Sequence, residues 1–278
     1  MIYIAQYIKS PLNYVGGKYK LLNQIIPLFP NDIDVFVDLF GGGFNVGINV
    51  ESNVVIYNDS NKQIVDLLNY FYTNNIDDIL ENIDKLIAKY NLSKDNPSGY
   101  LQLRDCYNKS NKEPIILYTL ICYSFNNQLR FNNNGDFNMP FGKRSFNPAL
   151  RNKLIKFVKQ LRNKYYVFLN YDFREFQNIA YTSKNFVYCD PPYYNSTATY
   201  NENGGWTKQD EEDLLNMLDF LHSNGVKFAL SNNLKYDNPL LAEWKDKYNV
   251  HYLDGDYRNC NYQKKDKSKD NEVLITNY

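Results

Sequence analysis

The chain has 278 residues, 44% hydrophobic and 22% charged, with 31 basic against 31 acidic side chains. That length and apolar share give a sizeable core in one large domain or two small ones, and exclude a disordered tail protein. No apolar run nears the roughly 18 residues of a membrane helix, the opening MIYIAQYIKS has no secretory pattern, and Cys106, Cys122, Cys189 and Cys260 lack zinc-ligand or disulfide-scaffold spacing.

The expectation is a protein of the reducing cytoplasm, with no membrane association and no metal. In chain order, VFVDLF (35–40) is a nearly continuous apolar run ending in Gly41, Gly42 and Gly43, which predicts a buried parallel strand entering a tight loop. VVIYND (54–59) predicts a second strand, and FNVGINVE between them has room for only a short helix, giving one βαβ unit. SNKQIVDLLNYFY predicts a helix with Ser60 as N-cap and apolar residues at Ile64, Leu67, Leu68 and Phe71. Residues 76–125 are mostly helical in pattern. From Asn126 to Pro148 there is no helix period, and LRF-NNNGD-FNMPF predicts a hairpin with an Asn/Gly turn. Strand patterns return in YYVFLN, NFVYCD, KFALSN and EVLITNY, with the helical EEDLLNMLDFLHSNG before KFALSN. The predicted organisation is an α/β core made from residues 1–74 and 161–278, interrupted by a mostly helical module at 75–160.

The charge is unevenly spread. Residues 126–165 carry nine bases (Arg130, Lys143, Arg144, Arg151, Lys153, Lys156, Lys159, Arg162 and Lys164) against the single acid Asp136. A second block from Arg258 to Lys269 holds five bases against Asp266. Such runs are commonly solvated helix faces. Here Phe125, Phe131, Phe137, Phe141 and Phe146 interleave with the first, which suits a surface that grips phosphates and stacks or wedges against bases.

In open α/β sheets ligands bind beyond the carboxyl ends of the strands. The Gly41-Gly42-Gly43 turn lets a backbone approach a ligand closely, and Asp59 ends the next strand, where a carboxylate caps a helix or accepts both hydroxyls of a ribose. Asp190-Pro191-Pro192-Tyr193 closes the strand-like NFVYC. An exocyclic amine on an aromatic base is a poor nucleophile, because its lone pair is delocalised into the ring. A carboxylate accepting one N–H, and a carbonyl held by the two prolines accepting the other, draw that nitrogen toward tetrahedral geometry while Tyr193 offers a ring for stacking.

As a set, DPPY resembles the catalytic motif of amino-group DNA methyltransferases that use S-adenosylmethionine (SAM). The order of motifs resembles the Dam-type adenine methyltransferases: PLNYVGGK (11–18) is similar to their N-terminal cofactor motif, FVDLFGGGFNVGINV (36–50) to the glycine-rich one, and YND (57–59) to the ribose-binding acid. FNNQLRFNNNGDFNMPFGKRSFN (125–147) resembles their DNA-recognition segment, in its phage form most of all, while FALSNN (228–233) and EVLITN (272–277) resemble later core strands. Tyr14 stands where many relatives have Trp, and Asn126-Asn127-Gln128 is not the commonest sequence at its position in the bacterial enzymes.

The resemblance implies a Rossmann-like core with a mixed sheet and helices on both faces, methylating N6 of a flipped adenine in duplex DNA, with GATC as the target. It implies cofactor contacts from Tyr14, Lys18, Asp38, Phe40, Gly41, Gly43, Asp59 and Asp190, and catalysis by Asp190, Pro191, Pro192 and Tyr193. It implies DNA contacts from Phe125, Asn126, Gln128, Arg130, Asn138, Pro140, Lys143 and Arg144, with Phe125 as a wedge and Arg130 reading a guanine. By spacing alone Arg130 serves equally as a phosphate contact, as the bases at 143–164 are expected to do. Tyr193→Phe is expected to be mild if only the ring face acts. A nearby cognate restriction nuclease is a candidate partner. The alternatives are a SAM-dependent methyltransferase of an RNA base or a protein glutamine amide, and a non-catalytic DNA-binding relative.

Overall fold

The computed structural model describes residues 7–110, 112–179, 181–195, 205–254 and 271–278, so the basic block from Arg258 to Lys269 lies outside the described residues. A short helix α1 (Leu22–Ile25), flanked by 3-10 turns, precedes β1 (Val35–Asp38) and β2 (Val54–Asn58). Four helices follow β2 as α2 (Lys62–Thr73), α3 (Ile76–Lys89), α4 (Pro97–Lys109) and α5 (Pro114–Tyr123). After the predicted hairpin come α6 (Pro148–Gln160), β3 (Tyr165–Leu169), β4 (Asn185–Cys189), α7 (Lys208–Ser223), β5 (Lys227–Asn233), α8 (Pro239–Trp244), β6 (Asn249–Tyr252) and β7 (Glu272–Thr276).

The strands form one seven-stranded mixed sheet in the order β3-β2-β1-β4-β5-β7-β6, parallel except that β7 runs antiparallel to both neighbours. Its two faces follow the period of two along each strand. Phe36, Val55, Phe186, Tyr188 and Leu274 join one apolar cluster with helices α1 to α6. Val37, Leu39, Val187, Cys189, Val273 and Ile275 join the other, against α7 and α8. The expected α/β core with helices on both faces is therefore present.

Three details differ from the sequence expectation. Asn61, not Ser60, caps α2, its side chain accepting the Ile64 N–H at 3.3 Å. Helix α6 reads in sequence only as a basic run, because its bases dilute the apolar spacing of Leu154, Phe157 and Val158. Helix α8, at 6 residues, and the edge strand β6, at 4, are too short for a periodic signal. Helix α5 is buried on every side and packs against α2, α3 and α4, which explains its unbroken apolar sequence.

Candidate active site

Strand order brings three carboxylates together. Asp38, the last residue of β1, pairs with Tyr57 of β2 on one side and Tyr188 of β4 on the other. Asp59 and Asp190 each lie two residues beyond those partners, so all three acids stand at the carboxyl ends of adjacent parallel strands. The order reverses between β1 and β4, the kind of position where open α/β sheets bind ligands. Asp38 is buried and its Oδ2 accepts the Gly47 N–H at 3.0 Å. Asp59 accepts the Gly42 N–H at 2.9 Å and the Asn61 N–H at 2.8 Å.

Burial makes these carboxyl groups reluctant to ionise. Loss of hydration pushes Asp38 up to about 7, against the pull of the Gly47 N–H and with added repulsion from Asp190 and Asp59. Asp59 is raised by burial and held down in part by the Asn61 and Gly42 N–H groups. Asp190 is also raised by burial, with Lys18 and the Tyr193 hydroxyl opposing.

Lys18 is 3% exposed, and its Nζ lies 2.8 Å from Asp190 Oδ1 and 5.2 Å from the centre of the Tyr193 ring. It also donates to the Gly16 carbonyl at 3.1 Å, so the N-terminal loop is fastened to the end of β4. Pro191 is buried beside it, while Pro192 and Tyr193 are half-buried. The glycine loop has a packing requirement of its own. A Cβ on Gly41 would lie 2.2 Å from the Tyr57 ring, and one on Gly43 would lie 2.9 Å from the Tyr14 Cβ. Tyr57 then donates its hydroxyl to the Gly42 carbonyl at 2.9 Å, closing the loop over β2. Phe40 packs against Phe173 at 5.5 Å and Trp206 at 5.6 Å, an aromatic wall invisible to sequence reading because its members are far apart in the chain.

The family model for D12 class N6 adenine-specific DNA methyltransferases matches residues 14–259, a span running from Tyr14 past the DPPY motif. The chain belongs to this family. It is similar to the type II methyltransferase M.FokI of Planomicrobium okeanokoites, at 49% identity over 98% of this chain and 43% of that protein. It is also similar to the modification methylase StsI of Streptococcus sanguinis, at 44% identity over 98% of this chain and 43% of that protein. The DNA adenine methylase of Escherichia coli (strain K12) is 26% identical over 87% of this chain and 86% of its own length. The chain thus spans less than half the length of the first two relatives.

In this D12 chain the segment expected to meet DNA is a hairpin in outline, held by isolated bridges between Ser124 and Phe141 and between Phe131 and Phe137. Asn132 closes the tip, its side chain accepting the Asn134 and Asp136 N–H groups at 3.0 and 2.9 Å. Gly142 is needed at the base, where a Cβ would meet the Ser124 carbonyl at 2.1 Å. Phe125 is 52% exposed and its N–H donates to the Pro140 carbonyl at 3.0 Å. Asn126 follows with φ 54° and is exposed, as is Pro140. Arg130 and Asn138 come together: Arg130 Nε donates to Asn138 Oδ1 at 2.8 Å.

The bases of the D12 chain's long basic block divide in two. Lys143 and Arg144 are exposed beside the hairpin. Arg151 instead pairs with Asp84 at 2.5 Å and lies over the Phe146 ring at 5.1 Å. Arg162 donates to the Phe71, Tyr72 and Asn74 carbonyls and so caps the end of α2, while Lys164 donates to the Val50 carbonyl. Arg151, Arg162 and Lys164 thus have partners within the protein, although Arg162 remains exposed, so the run from 143 to 164 is not uniformly free for the phosphate contacts expected of it.

Two further residues emerge only from the fold. Asn13 bridges to Gln128 and donates from Nδ2 to the Asn126 carbonyl at 2.8 Å, tying the Tyr14–Lys18 loop to the hairpin base. Glu272 is 5% exposed and lies beside Tyr193. Its only sequence signal is a charge opening an otherwise apolar strand.

Proposed function

We propose that this chain transfers a methyl group from SAM to N6 of an adenine flipped out of duplex DNA. The observation that carries the reading is the convergence of Asp38, Asp59 and Asp190 at the carboxyl ends of adjacent strands in a D12 family chain, with the buried Lys18 paired to Asp190. Acids outnumber bases there, which fits a ligand bearing a cationic sulfur and an ammonium group. Tyr14, Lys18, Asp38, Phe40, Gly41, Gly43, Asp59 and Asp190 would hold that ligand, with Asp59 toward the ribose. When bound, SAM supplies a methyl group activated by a positively charged sulfur.

The protein's own residues prepare the acceptor. Asp190 takes one N–H of the adenine amine and a backbone carbonyl of the Pro191–Pro192 pair takes the other, while the Tyr193 ring supports the base. Extrusion of the adenine costs a few kcal/mol, and the exposed Phe125 can fill the gap left in the stack. Residues 75–160 serve in this reading as the target-recognition module on a core of 1–74 and 161–278. GATC is the target implied by the Dam-type likeness, with Arg130 reading a guanine. Relatives named as modification methylases support a role beside a cognate restriction nuclease.

The direct test is incubation of the chain with SAM labelled in the methyl group and duplex DNA, RNA or protein, followed by identification of the methylated nucleoside. N6-methyladenine in DNA supports the reading; label in RNA or a glutamine amide alone overturns it.

Two expectations concern the cofactor. Asp59→Ala is expected to weaken SAM binding by about 1–3 kcal/mol, the cost of losing a hydrogen bond to a charged acceptor, with DNA affinity nearly unchanged. Unaltered SAM affinity by calorimetry would remove Asp59 from the ribose position. The second follows from Asp38, held at about 7 first by burial. Protons and a cationic ligand compete for its carboxylate, so SAM affinity should rise as pH increases toward 7 and level off above it. Binding near pH 6 should release protons into the buffer. Asp38→Asn should flatten the slope; an unchanged slope would assign it to another group.

A further inference from the structure

Because β7 is antiparallel to β5, its first residue lies at the same edge of the sheet as the carboxyl ends of the parallel strands. Glu272 opens β7 in register with Asn233, the last residue of β5. Its Oε1 accepts from Asn233 Nδ2 at 3.0 Å, and its Oε2 accepts from the Tyr193 hydroxyl at 3.2 Å. The same hydroxyl lies 3.5 Å from Asp190 Oδ1, the oxygen already paired with Lys18 at 2.8 Å. A phenol has one proton to donate and two carboxylates flank it, with Glu272 the nearer.

We propose that Glu272 is a positioning residue for methyl transfer, holding the Tyr193 hydroxyl so that its proton is directed away from Asp190. Two consequences follow from this arrangement. Tyr193 is fixed at both ends of its side chain, so its ring face is set before the base arrives. Asp190 then receives only the longer 3.5 Å contact from the hydroxyl, with Oδ1 on Lys18 and the second oxygen available to the amine. Without Glu272 the hydroxyl can close its 3.5 Å contact with Asp190 and compete with the substrate N–H. The Tyr193 hydroxyl therefore has a function beyond the stacking of its ring, and Tyr193→Phe is expected to be a substantial lesion, not a mild one.

This inference rests on the proposed methyl transfer to a DNA amine, and a double-mutant cycle separates the two. Single-turnover methylation of a duplex is measured for the wild type, Glu272→Gln, Tyr193→Phe and the double variant. SAM affinity and the fluorescence of 2-aminopurine at the target position are read alongside. Asn233 Oδ1 is taken by the Lys235 N–H at 2.9 Å, so Asn233 Nδ2 claims the one amide oxygen of glutamine and an N–H donor is left facing the Tyr193 hydroxyl. Each single variant is expected to slow the chemical step by about tenfold. SAM affinity and base extrusion should stay within about twofold of wild type, and the double variant should be no slower than Tyr193→Phe alone. A Glu272→Gln rate within about twofold of wild type, or losses that multiply in the double variant, would overturn the positioning role. Should Glu272→Gln fail to fold, Tyr193→Phe decides by itself, since a rate near wild type removes the hydroxyl from the argument. A wild-type chain that methylates no DNA defeats the functional reading instead.

Discussion

Asp190→Ala is expected to lower single-turnover methyl transfer by at least about 100-fold, the range associated with a positioned acid–base group. In the proposed reaction Asp190 is the acceptor that draws the amine nitrogen out of conjugation with the base, and among the described residues no other carboxylate directly follows β4. The substitution also leaves Lys18 buried without its 2.8 Å partner. Removing one member of a buried pair typically costs about 3–5 kcal/mol, so thermal stability should fall as well. Asp190→Asn separates the two effects. It keeps the shape and one acceptor oxygen beside Lys18 but removes the charge, so it should be better folded than the alanine variant and still slow. Rates are to be compared at saturating SAM and DNA, with denaturation measured on the same samples. Retention of more than about a tenth of the wild-type rate by folded Asp190→Ala would end the proposed role.

Arg130→Ala is expected to relax discrimination at a guanine of the target by about 1–3 kcal/mol, the usual worth of a two-point contact to O6 and N7. The hairpin constrains how such a contact is made. Arg130 Nε is committed to Asn138 Oδ1 at 2.8 Å, and Nη2 reaches the Asn138 carbonyl at 3.4 Å. The end of the guanidinium formed by Nη1 and Nη2 is the edge that remains for a base. Asn138→Ala should therefore reproduce part of the Arg130→Ala phenotype, because it frees the fork that the hairpin holds in place. A phosphate contact predicts something different: uniform loss of affinity across sequences and a shallower dependence on salt. Methylation of a panel of duplexes differing by one base pair, with wild type and both variants side by side, distinguishes these outcomes. Equal losses on cognate and guanine-substituted duplexes would leave Arg130 a phosphate clamp, and a wild-type preference for another site would remove GATC.

Much of this protein is legible in its sequence because the relevant signals are local. A buried parallel strand needs an unbroken apolar run, so VFVD, VVIYN and NFVYC are recognisable as strands from their residues alone. The DPPY motif, the glycine-rich turn and Asp59 are each contiguous with such a strand, and their order along the chain is enough to indicate the family. The Asn- and Gly-rich NNNGD between LRF and FNMPF likewise marks the hairpin, since such a turn carries its own backbone preference.

What the sequence could not contain is the order of strands across the sheet. Placing β1 between β2 and β4 sets Asp38 beside both Asp59 and Asp190, and that shared burial pushes Asp38 up to about 7. The reversed direction of β7 delivers Glu272 to Tyr193, two residues 79 positions apart in the chain. Counting bases likewise could not reveal that Arg162 caps α2 and Arg151 pairs with Asp84, while Lys143 and Arg144 face outward. A side chain's type is written in the sequence, but its charge state and partner depend on distance and hydration, which only the packed structure fixes.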